Sequence, residues 1–303
     1  MKKISLIIPC FNEQEVIRKT FSTIESVIDS IKNYSFEYIF IDDGSSDNTL
    51  KILKSFKTKQ SIKIISFSRN FGHQSAVSAG INSCISNAAI IMDADLQDPP
   101  ILIKKMLRYY ESGYDVVYAV RTERQGESFF KKITAKIFYR FLNLLSDIKI
   151  PNDTGDFRLI NQRVIKEFNK LNEKDKYIRG LISWIGFKQK AITYERNIRQ
   201  AGVTKYPLRK MIYFALNGIL SFSTRPLRIA TYFGFILSLF SFVSLIYIAY
   251  LRIFTDNWYP GWTAIMFAVL FIGSVQLIAI GILGEYVGKI HNQVKNRPDY
   301  IKK

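Results

Sequence analysis

An α/β domain built on a parallel sheet, followed by two transmembrane helices, is the architecture this sequence predicts. Three observations carry it. Short apolar runs alternate with helical stretches through the first 120 residues, polar and acidic residues stand at the ends of those runs, and two uncharged apolar runs close the chain. Strand–helix alternation with continuously apolar strands is the pattern of a parallel sheet covered on both faces. Each closing run, Ile229–Leu251 and Trp262–Leu283, reaches roughly 33 to 35 Å as a helix, enough for the ~30 Å hydrocarbon core of a bilayer.

The first strand is Ile4–Ile8. Lys2 and Lys3 before it imitate a secretion signal, but the apolar stretch is short. Pro9, Asn12 and Glu13 interrupt it and no small-residue cleavage site follows, so the domain is expected on the cytosolic side. Helix Glu13–Ile31, strand Tyr38–Ile41, helix Asp47–Phe56, strand Ile62–Ser66, helix Gln74–Ser86, strand Ala89–Met92, helix Pro100–Tyr110 and strand Val116–Ala119 follow in order. In such a sheet ligands bind beyond the carboxyl ends of the strands. Asn12 and Glu13, Asp42 and Asp43, and Asp93 and Asp95 all lie at those ends, which predicts one shared site.

Farther on, Glu127–Leu145 is amphipathic, with Phe130, Ile133, Ile137, Phe141 and Leu144 at helical spacing and Lys131, Lys132, Lys136 and Arg140 on other faces. It reads equally as a helix packed on the domain or as a membrane-facing one. Lys205–Arg228 mixes basic with aromatic and apolar residues just before the first span, which suits an interfacial segment. Three parts result: a domain over 1–204, interfacial helices over 205–228, and a two-helix anchor with a short tail over 229–303. Cationic residues concentrate before the first span and after the second, which places both termini on the cytosolic side, with Trp258, Tyr259 and Trp262 in the opposite interfacial belt.

A formal net charge of +18 favours anionic partners: lipid headgroups, phosphorylated substrates or nucleic acid. No nucleic-acid recognition motif accompanies the basic residues, so nucleic acid is set aside. Two cysteines, Cys10 and Cys84, imply no disulfide framework, and two histidines are too few for a His-based metal site. No GxxxxGK[ST], GxGxxG or GxSxG occurs, which speaks against a P-loop NTPase, an ordinary dinucleotide fold and a serine hydrolase.

Asp93-Ala94-Asp95 follows an apolar run. Two carboxylates at a strand end cannot both enter a core unpaired, since burying one ion costs several kcal/mol. They suit a hard divalent cation, which would neutralise a diphosphate leaving group. In the second acidic strand end, Asp42-Asp43-Gly44-Ser45-Ser46-Asp47, Gly44 is free to take positive φ and Asp47 reads as a helix cap. Asp42 or Asp43 is placed to accept hydrogen bonds from a nucleobase or ribose.

Five segments then carry a resemblance. Ser5–Glu13, Ile41–Asp47, Asp93–Pro99, Gly155–Leu159 and Ser221–Arg228, in that order and with the two-span tail, are similar to the polyisoprenyl-phosphate glycosyltransferases of inverting glycosyltransferase family 2, which have the GT-A fold. The subgroup most resembled is the bactoprenol glucosyltransferases, relatives of dolichyl-phosphate mannose synthase. The resemblance implies transfer of a sugar, first of all glucose from UDP-glucose, to a polyprenyl (undecaprenyl) phosphate, with Mg2+ or Mn2+ as cofactor. Anionic membrane lipids and a homo-oligomer, dimer or tetramer, are the further partners expected.

By the same resemblance Pro9, Asn12, Glu13 and Asp43 line the nucleotide pocket. Asp93 and Asp95 serve metal and diphosphate, with Gln97 nearby; Asp95 and Asp156 are the catalytic pair, Asp156 at the position of the family's proposed base. Arg121, Arg124 and Lys205 are expected to meet phosphate. Asp98 either lines this site or caps the following helix, and Arg158 either pairs with an acid or meets phosphate. Tyr177–Trp184 stands where processive relatives carry QxxRW, without the Gln, which leaves acceptor roles for Arg179 and Trp184 open. A phosphate monoester with a second pKa near 6 is largely ionised at pH 7 and needs little from a base, so Asp156 has an alternative use in orienting a basic side chain. A processive polysaccharide synthase and a non-catalytic nucleotide-sugar sensor are the competing readings.

If the basic face of Glu127–Leu145 draws in an anionic acceptor, the double substitution Lys131→Glu with Lys132→Glu raises the acceptor KM and leaves the donor KM unchanged in steady-state assays; the reverse pattern rejects that assignment.

Overall fold

A computed structural model describes residues 1–121, 154–174, 176–195, 223–254 and 261–303. They fall into two compact units. Residues 1–121, 154–195 and 296–303 make the first, and 223–295 the second. The candidate phosphate residues Arg124 and Lys205, the amphipathic stretch Glu127–Leu145, most of the interfacial segment and the Trp258–Tyr259 belt lie outside the described residues.

The first unit is a seven-stranded sheet. Its strands are β1 (Lys2–Cys10), β2 (Tyr34–Asp42), β3 (Ser61–Ser66), β4 (Ala88–Ile91), β5 (Val116–Arg121), β6 (Thr154–Asn161) and β7 (Gln189–Tyr194), in the order β3-β2-β1-β4-β6-β5-β7. The five strands expected from the first 120 residues share one direction, but the sheet as a whole is mixed: β6, absent from that expectation, runs antiparallel to both β4 and β5, and the remaining pairs are parallel. Sequence reading missed β6 because Asp156 and Arg158 interrupt its apolar residues. Period-two alternation explains them. Phe157 and Leu159 enter the core while Asp156 and Arg158 project to the opposite face.

Helices cover both faces. On one, α1 (Ile17–Asp29), α2 (Thr49–Lys54) and α4 (Leu102–Glu111) bury Phe21, Ile24, Ile28, Leu53, Met106 and Leu107 against Ile4, Leu6, Ile8, Tyr38 and Phe40. Phe21 and Phe56 stack with ring centroids 4.2 Å apart. α3 (His73–Asn82) lies on the other face, with α5 (Gln162–Lys170) and α6 (Ile178–Ile185) beyond it. The first helix starts four residues later than the sequence suggests. Glu13 and Gln14 give their backbone N–H groups to Thr49 Oγ1 at 2.9 Å and Asp47 Oδ2 at 3.2 Å, so those donors serve the site loops rather than a helical turn. Cys10 and Cys84 are free and buried.

In the second unit α7 (Arg225–Phe254) and α8 (Trp262–Val294) pack together. Arg225–Ser244 and Ile265–Val294 are long and apolar enough to cross a membrane, and their side chains are not buried in the protein. Exposed Phe235, Phe240, Phe267 and Leu277 leave apolar area that water disfavours and lipid accepts. Tyr286 Oη donates to the Ser223 carbonyl oxygen at 2.6 Å, fixing the start of α7 to the later part of α8.

Gly80 sets how closely α3 approaches the sheet. A Cβ there would stand 2.3 Å from Ile7 Cγ2 and 3.0 Å from Ile41 Cδ1. Ala gains about 1 kcal/mol of helix propensity over Gly, but overpacking a core against β-branched strand residues costs about 1–3 kcal/mol. Gly80→Ala is therefore expected to lower the thermal unfolding midpoint of the full chain in detergent, although the substitution favours helix; an unchanged or raised midpoint contradicts the packing account.

Candidate active site

The loops after β1, β2, β3 and β4 converge, as the sheet-end rule requires. Asn12, just past β1, has φ 54°, and Leu96, just past β4, has φ 56°. Left-handed backbone is uncommon for a non-glycine residue and costly for a bulky one such as Leu96, and it clusters where the surroundings enforce it. In Asn12 this conformation lets the amide reach the β2 loop: Oδ1 accepts from Ser46 N–H at 2.9 Å while the Asn12 N–H donates to Ser45 Oγ at 3.0 Å. Pro9 is buried in β1, paired with Ile41. Glu13 stands beside Thr49 through its backbone.

The two acids ending β2 divide their work. Asp42 is buried and holds the turn, accepting from Ser45 N–H at 3.2 Å and Ser66 Oγ at 2.9 Å. Asp43, also buried, reaches the loop after β3. Its carboxylate accepts from Phe71 N–H at 2.7 Å, Gly72 N–H at 3.0 Å and Asn70 Nδ2 at 3.0 Å. Burial raises its pKa, and the two backbone donors oppose that rise. Each carboxylate oxygen offers two lone-pair sites, so Oδ1 keeps one for a ligand. Asp47, one residue before the N-cap Asn48 of α2, accepts from Thr49 N–H at 2.9 Å, a turn bond ahead of the helix rather than the cap expected of it.

After β4 the chain alternates without forming a strand: Met92, Ala94, Leu96 and Asp98 are buried, while Asp93, Asp95 and Gln97 are partly exposed. Asp95 Oδ1 accepts from Gln97 N–H at 3.1 Å. Asp98 accepts from the Tyr194 hydroxyl, and the N-cap position of α4 is Ile101. Asp93 Oδ1 is buried yet accepts no hydrogen bond. Burial raises Asp93 to about 6, against the pull of His73.

His73, the first residue of α3, was missed by sequence reading because a lone histidine has no pattern. Its Nε2 lies 3.1 Å from Asp156 Oδ2 and 3.7 Å from Asp93 Oδ1. Burial would lower its pKa; the Asp156 hydrogen bond and the Asp93 charge outweigh burial and raise it to about 9, so the imidazole is charged at neutral pH. The following Gln74 fixes α6 by accepting from Ile178 N–H at 3.0 Å. Arg179, one residue on, forks onto Asp156: Nε to Oδ1 at 2.7 Å and a terminal nitrogen to Oδ2 at 3.0 Å. Burial alone would raise Asp156, but Arg179 and then His73 hold its carboxyl well below the usual carboxylate range.

Asp156 thus takes its ion pairs from Arg179 and His73 and none from Arg158. Arg158 is buried, its guanidinium donates to the Gly155 carbonyl oxygen at 3.1 Å, and its Nε has no partner. Burial lowers it to about 10, still charged at neutral pH. Arg121 closes β5, paired with Tyr194 of β7. Trp184 is 59% exposed on α6.

The structure therefore brings Asp43, His73, Asp93, Asp156 and Arg179 into one linked cluster, with Asp95 and Gln97 on the same loop as Asp93. Among the described residues no three His, Cys, Asp or Glu side chains are gathered as metal ligands. A Mg2+-like ion is ordinarily held by one or two carboxylates together with substrate phosphates, and Asp93 Oδ1, which makes no hydrogen bond, with Asp95 two residues on, fits that mode.

Comparison with known proteins identifies the family. Residues 5–168 match the model described as glycosyl transferase family 2, and residues 225–290 match the GtrB C-terminal hairpin. A Bacillus subtilis protein named uncharacterized glycosyltransferase YkcC is 46% identical over 98% of this chain and 92% of its own length. The SfII prophage-derived bactoprenol glucosyl transferase of Shigella flexneri is 39% identical over 99% of this chain and 97% of its own. A solved mycobacterial protein shares the fold at TM-score 0.50 and 16% identity, over 72% of this chain and 73% of its own.

The Arg179 fork makes a sharp stability prediction. Losing hydrogen bonds to a charged group costs about 1.5–3 kcal/mol. Arg179→Ala is expected to destabilise by that amount in denaturant titration, and Arg179→Lys to recover only part of it, since an ammonium cannot span both oxygens. Equal stability of Arg179→Lys and the parent chain would deny the fork its importance.

Proposed function

The chain belongs to glycosyl transferase family 2, and from that premise we propose that it moves a sugar from a nucleoside-diphosphate donor onto the phosphate of a membrane polyprenyl lipid. Asp93, whose buried Oδ1 makes no hydrogen bond and lies 3.7 Å from a cationic His73, is the observation that carries the reading: a site for a diphosphate and its counter-ion at the sheet's ligand-binding end. The match to the GtrB hairpin and the names of the bactoprenol glucosyl transferase relatives support the lipid acceptor. Glucose as the sugar rests on those names, and UDP as the carrier on the family resemblance.

The bond changes balance without a base. An oxygen of the acceptor phosphate attacks the anomeric carbon from the face opposite the donor diphosphate. The bond from that carbon to the diphosphate oxygen breaks, the nucleoside diphosphate departs with the electron pair, and configuration inverts. An acceptor that carries a charge of about −1.5 to −2 at pH 7 has no proton that must be removed. A divalent cation held by Asp93 and Asp95 together with donor phosphates would neutralise charge on the leaving group.

Asp156 is then assigned a positioning role. A carboxylate held far below neutral pKa and engaged by Arg179 and His73 is a weak base, and it keeps two cations aimed at the anionic reactants. Holding two reactants in line is worth up to ~7–11 kcal/mol. Asp43 and Asn12 shape the nucleotide end. Arg121, Arg124 and Lys205 are assigned to the acceptor phosphate, on a catalytic domain of residues 1–204 facing the cytosol beside a two-span anchor.

Mass spectrometry of lipid products decides the matter. Full-length protein in detergent is given undecaprenyl phosphate, Mg2+ or Mn2+, and UDP-glucose within a panel of sugar nucleotides. The expected product is the lipid phosphate carrying one hexose, and Asp95→Asn reduces its formation about a hundredfold or more. Longer glycans would point to a processive synthase, and binding without turnover to a sensor.

A further inference from the structure

Residues 296–303 fold back on the sheet unit. Phe67, just past β3, pairs antiparallel with Lys302, flanked by Ser68 N–H to the Ile301 carbonyl at 2.9 Å and Lys303 N–H to the Ser66 carbonyl at 2.8 Å. Asp299 anchors the segment through Lys174 at 3.5 Å and Lys176 at 3.4 Å. Tyr300 stacks on Phe67 with centroids 4.7 Å apart and planes at 15°.

The contacts continue inward. Phe67 is fully buried and meets the edge of Phe71 at 5.8 Å, and Arg69 lies over the Phe71 ring at 4.1 Å. Phe71 and the following Gly72 are the backbone donors to Asp43, and Gly72, with φ 99°, leads directly into His73. An unbroken line of packed groups therefore runs from Tyr300 through Phe67 and Phe71 to the carboxylate assigned to the nucleotide. The segment meets this loop in two ways, through the Ile301 carbonyl at Ser68 and through the Tyr300 ring on Phe67, and the ring contact is the one that continues side chain to side chain toward Asp43.

We propose that Tyr300 is a positioning residue for the donor pocket: stacked on Phe67, it holds the 68–72 loop so that Phe71 and Gly72 keep Asp43 aligned for the nucleotide. The proposal rests on the glycosyltransferase reading only for the identity of the ligand. Aromatic pairs are worth about 0.5–1.5 kcal/mol beyond area burial, which corresponds to roughly two- to tenfold in an equilibrium.

Amide hydrogen exchange on the full chain in detergent, with no ligand added, tests the mechanical part. Tyr300→Ala should speed exchange at Phe71 and Gly72 about two- to tenfold and leave the core of β1 unchanged, while Tyr300→Phe, which keeps the ring, behaves as the parent. Unchanged exchange at those two amides overturns the proposal. UDP titration then tests the consequence. Tyr300→Ala should weaken UDP binding and raise the donor KM about two- to tenfold, with kcat and the acceptor KM unchanged; Tyr300→Phe restores both. Faster exchange with unaltered UDP affinity overturns the link to the donor. A loss of kcat and both KM values together marks Tyr300 as merely structural and also overturns it. A parent chain that binds neither UDP nor any other nucleoside diphosphate defeats the functional reading instead, and the exchange result alone then judges the role of Tyr300.

Discussion

One buried carboxylate governs the arrangement of the site. Asp156 is almost fully enclosed on β6, and an ion so placed costs several kcal/mol unless it is paired. Arg179 and His73 provide the pairing from two different helices, so β6, α3 and α6 are bound to one geometry. Asp93 enters the same field through His73 from the loop that follows β4, the strand neighbouring β6. Three elements far apart in sequence are thereby held at hydrogen-bond tolerance, which is the tolerance that positioning two anionic reactants demands.

The same constraint separates the acids by role. Asp42 and Asp43 adjoin in sequence, yet one closes its own turn and the other fastens the loop after β3. Asp98 is taken up by Tyr194, whereas Asp93 keeps an oxygen without a hydrogen bond. Partner supply, rather than residue type, decides which carboxylates remain for ligands.

Much of this was legible in the chain. The apolar runs announce β1, β2 and β4 through consecutive buried residues, and the edge strand β3 through its isoleucines although it is only partly buried; the polar residues ending those runs fall where the topology brings strands' ends together. The two long apolar helices follow from length and the absence of charge. Strands β6 and β7 escaped for a physical reason: β6 alternates core residues with Asp156 and Arg158, and β7 exposes every second residue at the sheet edge, so neither has a continuous apolar signature. The pairing of His73 and Arg179 with Asp156 escaped because it is purely spatial; 83 and 23 residues separate them from the acid that they serve. The resemblance reached both Asp156 and Arg179 but not the link between them, which the fork shows.

Gly80 reaches beyond packing. It lies about 10 Å along the helix axis from His73, at the point where that helix touches the strands. The depth at which the helix rides therefore fixes how far the imidazole extends between two acids, and a single absent methyl group works as the fulcrum of that lever. A fraction of an ångström of lift, introduced from the interior without altering any charged group, would shift that ring between the two acids.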